Sequence, residues 1–338
     1  MALTKTVDEI EEQLPNFIGN LSDPAAFPNF STAEYKYLVP ITGIALYNDI
    51  HNKYNNAPGT MTEAEVNLLK KMRLVSLCYA YHDSTALGHL KWTDTGTTKV
   101  QQSGTTEIRK WEFEKLQTTF LLFAADASDV LLSYLFEVAP ALWTASDQYA
   151  SINSLLIKTA SDFTSHKTLF QPARTFFSIR TTIEDTQELR IKGEIGEDLL
   201  EHLVTISDPD AKLKKEITKL KKALANLSIA MCVDQHNVKF SAEGFTVLIG
   251  GADSADHFNR QAAPSVDLSA HKDSCDKNGM IFLNNAIAGL VAYYKRTEAP
   301  LASEEFKTAL EAGPLNDLIE PKECDFDNSK RNGIYRFG

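Results

Sequence analysis

The chain has 338 residues, 43% hydrophobic and 23% charged, which suits two domains better than one compact core and excludes wholesale disorder. Its 45 acidic against 34 basic residues give a formal net charge of -11. A polyanion-binding surface needs clustered Lys and Arg, so this balance argues against nucleic acid as a general partner. In chain order, residues 1–30 join an acidic stretch to Pro15, Pro24 and Pro28, predicting an irregular arm with one short helix, Val7 to Gln13. Ser31-Thr32-Ala33-Glu34 has capping-box form and opens a helical segment to about Lys53, which Pro40 is expected to kink or split. Pro58-Gly59 breaks the chain, and Thr60 or Thr62 caps a helix from Glu63 to about Asp83 with an apolar stripe at Leu68, Met72, Val75 and Tyr79. Leu90 to Ser103, rich in Thr and Gly, fits a β-hairpin or long loop. Glu107 to Phe136 predicts a helix roughly 45 Å long at 1.5 Å per residue, ended by Pro140.

A connector follows, in which Ala150 to about His166 reads as helical and Phe170 to Ile179 as a mixed apolar stretch around Pro172. From Thr181 the earlier order returns. A helical segment covers Gln187 to Val204, Ser207-Asp208-Pro209 breaks it, and a helix runs from Ala211 to Val233. Val238 to Ile249 alternates as a hairpin does, and a long helix spans about Leu268 to Arg296. The tail holds a helix from Ser303 to Ala312 and then an extended polar end.

The expected fold is therefore mainly α with short β-hairpins, an internally duplicated helix–helix–hairpin–long helix unit. Leu38, Gly43, Tyr47 and Ile50 align with Ile191, Gly196, Leu200 and Leu203 at a constant offset. Lys70-Lys71-Met72 aligns with Lys221-Lys222-Ala223 two residues short of that offset, and Leu132-Ser133-Tyr134 and Leu290-Val291-Ala292 fall near the ends of the two long helices. The division that follows is an arm (1–30), a first repeat (31–140), a connector (141–180), a second repeat (181–298) and a terminal helix with tail (299–338). Two units are too few for a solenoid, so a packed pair or an oligomer is expected.

No motif points to catalysis, and no cofactor is expected. Cys232 with His236, and His271 with Cys275, are spaced i, i+4 and together would form a Cys2His2 zinc set, although neither pair has knuckle spacing. Glu243, Asp253 and Asp256 lack an orienting partner, Gly250-Gly251 lacks the rest of a phosphate loop, and Asp273 to Gly279 has too few acids for a calcium loop. The densest basic run, Lys212 to Lys222, has the spacing of a solvated helix face. There is no apolar run of about 18 residues for a membrane span, the acidic start is unlike a secretory signal, and four cysteines without framework spacing point to reduced thiols in a cytoplasm. At the end of the tail, Ile334, Tyr335, Arg336 and Phe337 follow Lys330 and Arg331 and read as a docking strand for a neighbouring subunit.

Leu155 to Phe163, Thr175-Phe176-Phe177 and the Ile191 to Leu203 segment centred on Gly196 resemble an uncharacterised family from phages and prophages of Bacteroidetes, over roughly residues 31 to 296. Members of that family are encoded among virion structural genes, and their helix-plus-hairpin units are similar to the head–tail connector (adaptor) proteins of tailed phages. The resemblance implies a non-enzymatic ring of about a dozen copies, in the neck of the virion and assembled in the host bacterial cytoplasm. It implies portal and tail or neck proteins as partners, no membrane, and DNA passing through without specific binding. A tail-completion or other minor virion protein, and a cytosolic binding module, are the alternatives.

Overall fold

The computed structural model describes residues 2–15, 28–87, 90–93, 96–99, 110–206, 208–236, 238–241, 244–247, 265–294, 308 and 312–315, and 82% of these positions are helical. Helix α1 (Val7–Gln13) opens on a capping box in which Thr6 accepts from the Glu9 N–H and Glu9 accepts from the Thr6 N–H. Leu3 and Ile10 are fully buried, so residues 2–15 belong to the core rather than to an irregular arm.

Helix α2 (Phe30–Ala33) is capped by Asn29, which accepts from the Thr32 N–H, and the expected box from Ser31 to Glu34 does not form. Glu34 is buried and accepts instead from the Leu3 N–H and the Tyr47 hydroxyl, both at 2.7 Å. A π-helical turn covers Glu34–Leu38, and α3 (Val39–Thr42) follows directly. Pro40 lies in the first turn of α3, where a missing N–H is tolerated, so it is not the break. The break is Gly43, at φ 74° and ψ 151°, and α4 (Ile44–Asn56) starts there. A side chain at Gly43 would be strained, and its Cβ would lie 3.1 Å from Ser146 Cβ.

After a short 3-10 turn at Pro58–Thr60, Thr62 and Glu65 form a second capping box at the start of α5 (Glu63–Leu87). Strands β1 (Leu90–Thr93) and β2 (Gly96–Lys99) pair antiparallel, and α6 (Lys110–Val138) follows. Ala139 in a left-handed conformation and then Pro140 end α6. By length and composition α6 is apolar enough over Lys115–Val138 to cross a membrane. Here Phe120, Ala124, Leu131, Leu132 and Leu135 of that stretch are buried inside the protein.

The segment expected as one helix from Ala150 to His166 is two. Helix α7 (Ala141–Thr144) precedes α8 (Asp147–Asn153), capped by Ser146, and α9 (Ala160–His166) is capped by Thr159. Gln187 separates α8 from α9 by accepting from the Leu156 N–H at 2.8 Å and donating to the Ser154 carbonyl at 2.9 Å. Helix α10 (Pro172–Thr186) carries Pro in its first turn. It runs into a second π-helical turn (Gln187–Lys192), the short α11 (Gly193–Ile195) and a second glycine break, Gly196 at φ 88° and ψ 158°. Helix α12 (Glu197–Thr205) starts there.

Helix α13 (Ala211–Gln235) is capped by Asp210, whose carboxylate accepts from Lys212 and Leu213. Strands β3 (Val238–Ser241) and β4 (Gly244–Val247) pair antiparallel, and Leu169 bridges to Phe245. Helix α14 (Ser265–Tyr294) packs along α13 so closely at Gly279 that a Cβ there would lie 2.6 Å from Leu227 Cγ.

Buried side chains gather in three clusters. Two hold Leu3, Ile10, Phe30 and residues of α4–α8. The third runs from Leu156 through α9, α10, α12, α13 and α14 to Leu315, with Ala125 of α6 reaching into it. Residues of the expected connector, Leu156, Phe163, Phe176 and Ile179 among them, thus build the same core as α13 and α14.

Candidate functional site

The first polar constellation ties the N-terminal residues down. Glu9 accepts from the Lys5 and Thr6 N–H groups, the Tyr54 hydroxyl and the Arg73 guanidinium, and Arg73 also donates to the Leu3 carbonyl at 2.8 Å. Burial alone would raise the Glu9 carboxyl. The bonds from Tyr54, Lys5 and Thr6 and the charge of Arg73 outweigh it, so the group sits below the ordinary carboxylate value. Glu34 shows the opposite balance: burial outweighs the bonds from Tyr47 and Leu3 and pushes it up.

The sign for Glu9 follows from linkage. A depressed carboxyl contributes stability above its unfolded value of about 4.3, and that contribution is lost as pH falls through the folded value. Glu9→Gln is expected to cost about 2 kcal/mol at neutral pH, the scale of a hydrogen-bonded charge. Urea unfolding should show the gap to the parent chain closing in acid; a gap independent of pH would rule out the charged role.

A second constellation lines a cleft of about 420 Å³ between α9, α12 and α13, with Lys158, Asp162, His166, Lys214 and Lys221 among its polar residues. Lys221 pairs with Asp162 at 2.7 Å, and His166 Nε2 lies 3.4 Å from the same carboxylate. Burial and then the charge of Lys221 push the Lys158 amine down, while its Nζ donates to Asn153 Oδ1 at 2.6 Å. These groups are oriented by ion pairing and by core packing, and no nucleophile is hydrogen-bonded to a base among them.

The third constellation joins the two halves. Asp129 on α6 accepts from the Ala160 N–H at 2.9 Å and from the Ser161 N–H, at the start of α9. Burial raises the Asp129 carboxyl and these two bonds lower it, with burial the larger. Beside it Ala125 enters the second-half core, α6 packs on α10, and Lys158 lies over the Phe136 ring.

The residues singled out from sequence are dispersed. Cys232 and Cys275 are buried in the same core cluster, and burial pushes the Cys232 thiol up to about 12 and raises that of Cys275. His236 sits at the C-cap of α13, with Nε2 3.2 Å from Thr182 Oγ1, and His271 is exposed on α14. Among the described residues no group of three or more His, Cys, Asp or Glu is placed to hold a metal. Asp273 to Gly279 lies inside α14. Of the basic run, Lys219 pairs with Glu216, Lys221 with Asp162, and Lys222 lies over the Phe282 ring, so half of its six lysines are engaged within the fold. Glu243, Asp253, Asp256, Gly250, Gly251 and the tail set Ile334, Tyr335, Arg336 and Phe337 lie outside the described residues.

Against known families, a profile described as "Family of unknown function (DUF6712)" matches residues 38–153 and 184–293. The chain belongs to that family. The two matched stretches of DUF6712 enclose α4–α8 in the first half and, in the second, α12, α13 and all but the last residue of α14, and with them both glycine breaks. No curated protein and no solved structure matches the chain.

Proposed function

We propose that this DUF6712 chain is a structural subunit of a phage particle, a head–tail connector or neck-ring protein built from two copies of one helical unit. The observation that carries the reading is the joint at Asp129. It brings α6 of one half onto α9 and α10 of the other, two unlike surfaces. Contact between unlike surfaces of like units is heterologous, and repeated between copies it closes into rings or runs on as filaments.

Support for two copies of one unit comes from matched local structure. Leu3 donates to Glu34 and Leu156 to Gln187, each across 31 positions. Thr6 caps α1 and Thr159 caps α9, both helices of seven residues, with Ile10 and Phe163 fully buried at corresponding places. Each half then has a π-helical turn, a short helix, a glycine with positive φ and a new helix. Gly43 is covered by Ser146 and Gln148, and Gly196 by Gly313 and Pro314. Buried positions in α5 (Leu69, Met72, Arg73, Val75, Leu77, Cys78) recur in α13 (Leu220, Ala223, Leu224, Asn226, Ser228, Ile229).

In the long helices, burial pairs Phe120, Ala124, Ser128, Leu131, Leu132 and Leu135 with Cys275, Gly279, Leu283, Ala286, Ile287 and Leu290. The partner of Leu132 is then Ile287, about one turn before Leu290. On this reading the units run from Leu3 to Asn153 and from Leu156 to Leu315, and the hairpins β1–β2 and β3–β4 are equivalent.

Such a protein works through surfaces and takes no cofactor. Its acidic balance suits a DNA conduit, because acidic walls disfavour phosphate contacts. Its partners would be copies of itself, the portal, and tail or neck proteins, with Ile334 to Phe337 as a docking strand. Removing residues 328–338 is expected to weaken assembly and leave the thermal midpoint unchanged. The reading is tested by immunogold labelling of intact and disrupted particles: label at the neck is expected. Label on the tail would favour a tail-completion protein, and absence from particles would favour a cytosolic binding module.

A further inference from the structure

We infer that the face of α14 carrying Ile281, Asn284 and Ala288 docks on the α1 surface of a second copy of this chain, repeating between chains the joint that Asp129 makes within one. The inference rests on the proposed duplication and ring, and it names the contact that the ring would use.

In the matched register of the long helices, Ala125, Asp126, Asp129 and Ser133 of α6 correspond to Met280, Ile281, Asn284 and Ala288 of α14. On α6 that face is occupied: Ala125 is buried in the second-half core and Asp129 accepts from the start of α9. On α14 the counterpart face is open at Ile281, 47% exposed, and at the exposed Asn284 and Ala288, while Met280 at its edge packs partly buried against the second-half core. Ile281 is thus an exposed large apolar side chain at the position where α6 carries Asp126.

The receiving surface corresponds in the same way. Helix α9 is met at Ala160 and Ser161, whose counterparts on α1 are Val7 and Asp8. The chemistry of the two sides changes together. Within the chain, an acidic Asp129 faces the neutral Ala160 and Ser161. Between chains, the counterpart of Ser161 is the exposed Asp8, and the counterparts of Asp126 and Asp129 are the uncharged Ile281 and Asn284. A carboxylate opposite Asp8 would be repelled, whereas the Asn284 amide can accept from a backbone N–H and donate to a carboxylate. The occupant is therefore a second copy, chosen by this exchange of charge as well as by the repeated geometry.

The test is cysteine pairing between copies of the full chain assembled with its portal. Asn284→Cys in one preparation and Asp8→Cys in another are mixed and oxidised, with Asp129→Cys combined with Ser161→Cys in one chain as the positive control. A disulfide-linked dimer in the mixture, absent from either preparation alone, is the expected result. In a second arm, Asn284→Asp should weaken self-association about tenfold or more, and adding Asp8→Asn should restore it. Thermal midpoints equal to the parent's confirm that exposed positions were changed without loss of fold. Rings that form while the mixture stays uncross-linked overturn this joint and leave the ring reading intact. A chain that stays monomeric with and without portal overturns both.

Discussion

Trp143→Ala is expected to lower stability by about 4 kcal/mol, within the range for deleting a large buried aromatic side chain. Trp143 is fully buried, and its ring meets Phe136 and Tyr149 edge-on, both with centroids 4.9 Å away. Its indole N–H donates to the Ile41 carbonyl at 3.1 Å, just before the Gly43 break. The substitution therefore opens a cavity, strands a carbonyl and loosens the cover that Ser146 and Gln148 place on Gly43. Trp143→Phe should recover the packing but not the hydrogen bond, and so fall between the two. Urea unfolding measures this, and a loss below about 1 kcal/mol for the alanine variant would contradict the anchoring role.

Glu34→Ala is expected to cost about 3 kcal/mol, because it leaves the Leu3 N–H and the Tyr47 hydroxyl buried without their acceptor. Glu34→Gln places there the kind of amide with which Gln187 holds the Leu156 N–H, and should cost far less. The two also differ in pH dependence. The Glu34 carboxyl is raised in the folded protein. A raised group contributes stability that is fully present below its unfolded value, near 4.3, and lost as pH rises through the folded value. The parent chain should therefore lose stability over that window, and Glu34→Gln should flatten the profile. An alanine variant as stable as the glutamine variant would remove Glu34 from the account.

What was legible in the sequence was local. Val7 to Gln13, the Thr62 cap and the start of α13 after the Asp208-Pro209 break each carry their signal within a few residues. The misreadings share one physical cause, a partner far along the chain. Ser31 to Glu34 has the spacing of a capping box, but Asn29 competes for the cap and Glu34 is drawn to Leu3. Ala150 to His166 looks continuous until Gln187 takes the backbone of Ser154 and Leu156. Pro40 is the obvious breaker, yet the positive φ falls on Gly43, where the chain must pass close to Ser146.

The joint at Asp129 was missed although it left a trace. An aspartate between Ala125 and Leu132 in an apolar helix needs a partner when it is half-buried, and here two backbone N–H groups at the head of α9 supply it. The pairing of Asp129 with Asn284 has meaning only within the proposed duplication, in which the buried positions of the two long helices are matched. The spacing of Cys232, His236, His271 and Cys275 was legible as a zinc pattern, but both thiols are packed into the core by the helices that carry them.

The central claim, a duplicated unit that assembles through unlike faces, is tested most directly by the mass and electron microscopy of the full chain incubated with its portal. Closed rings of about a dozen copies seated on the portal are the predicted result. A chain that remains monomeric at every concentration and leaves the portal bare would contradict it.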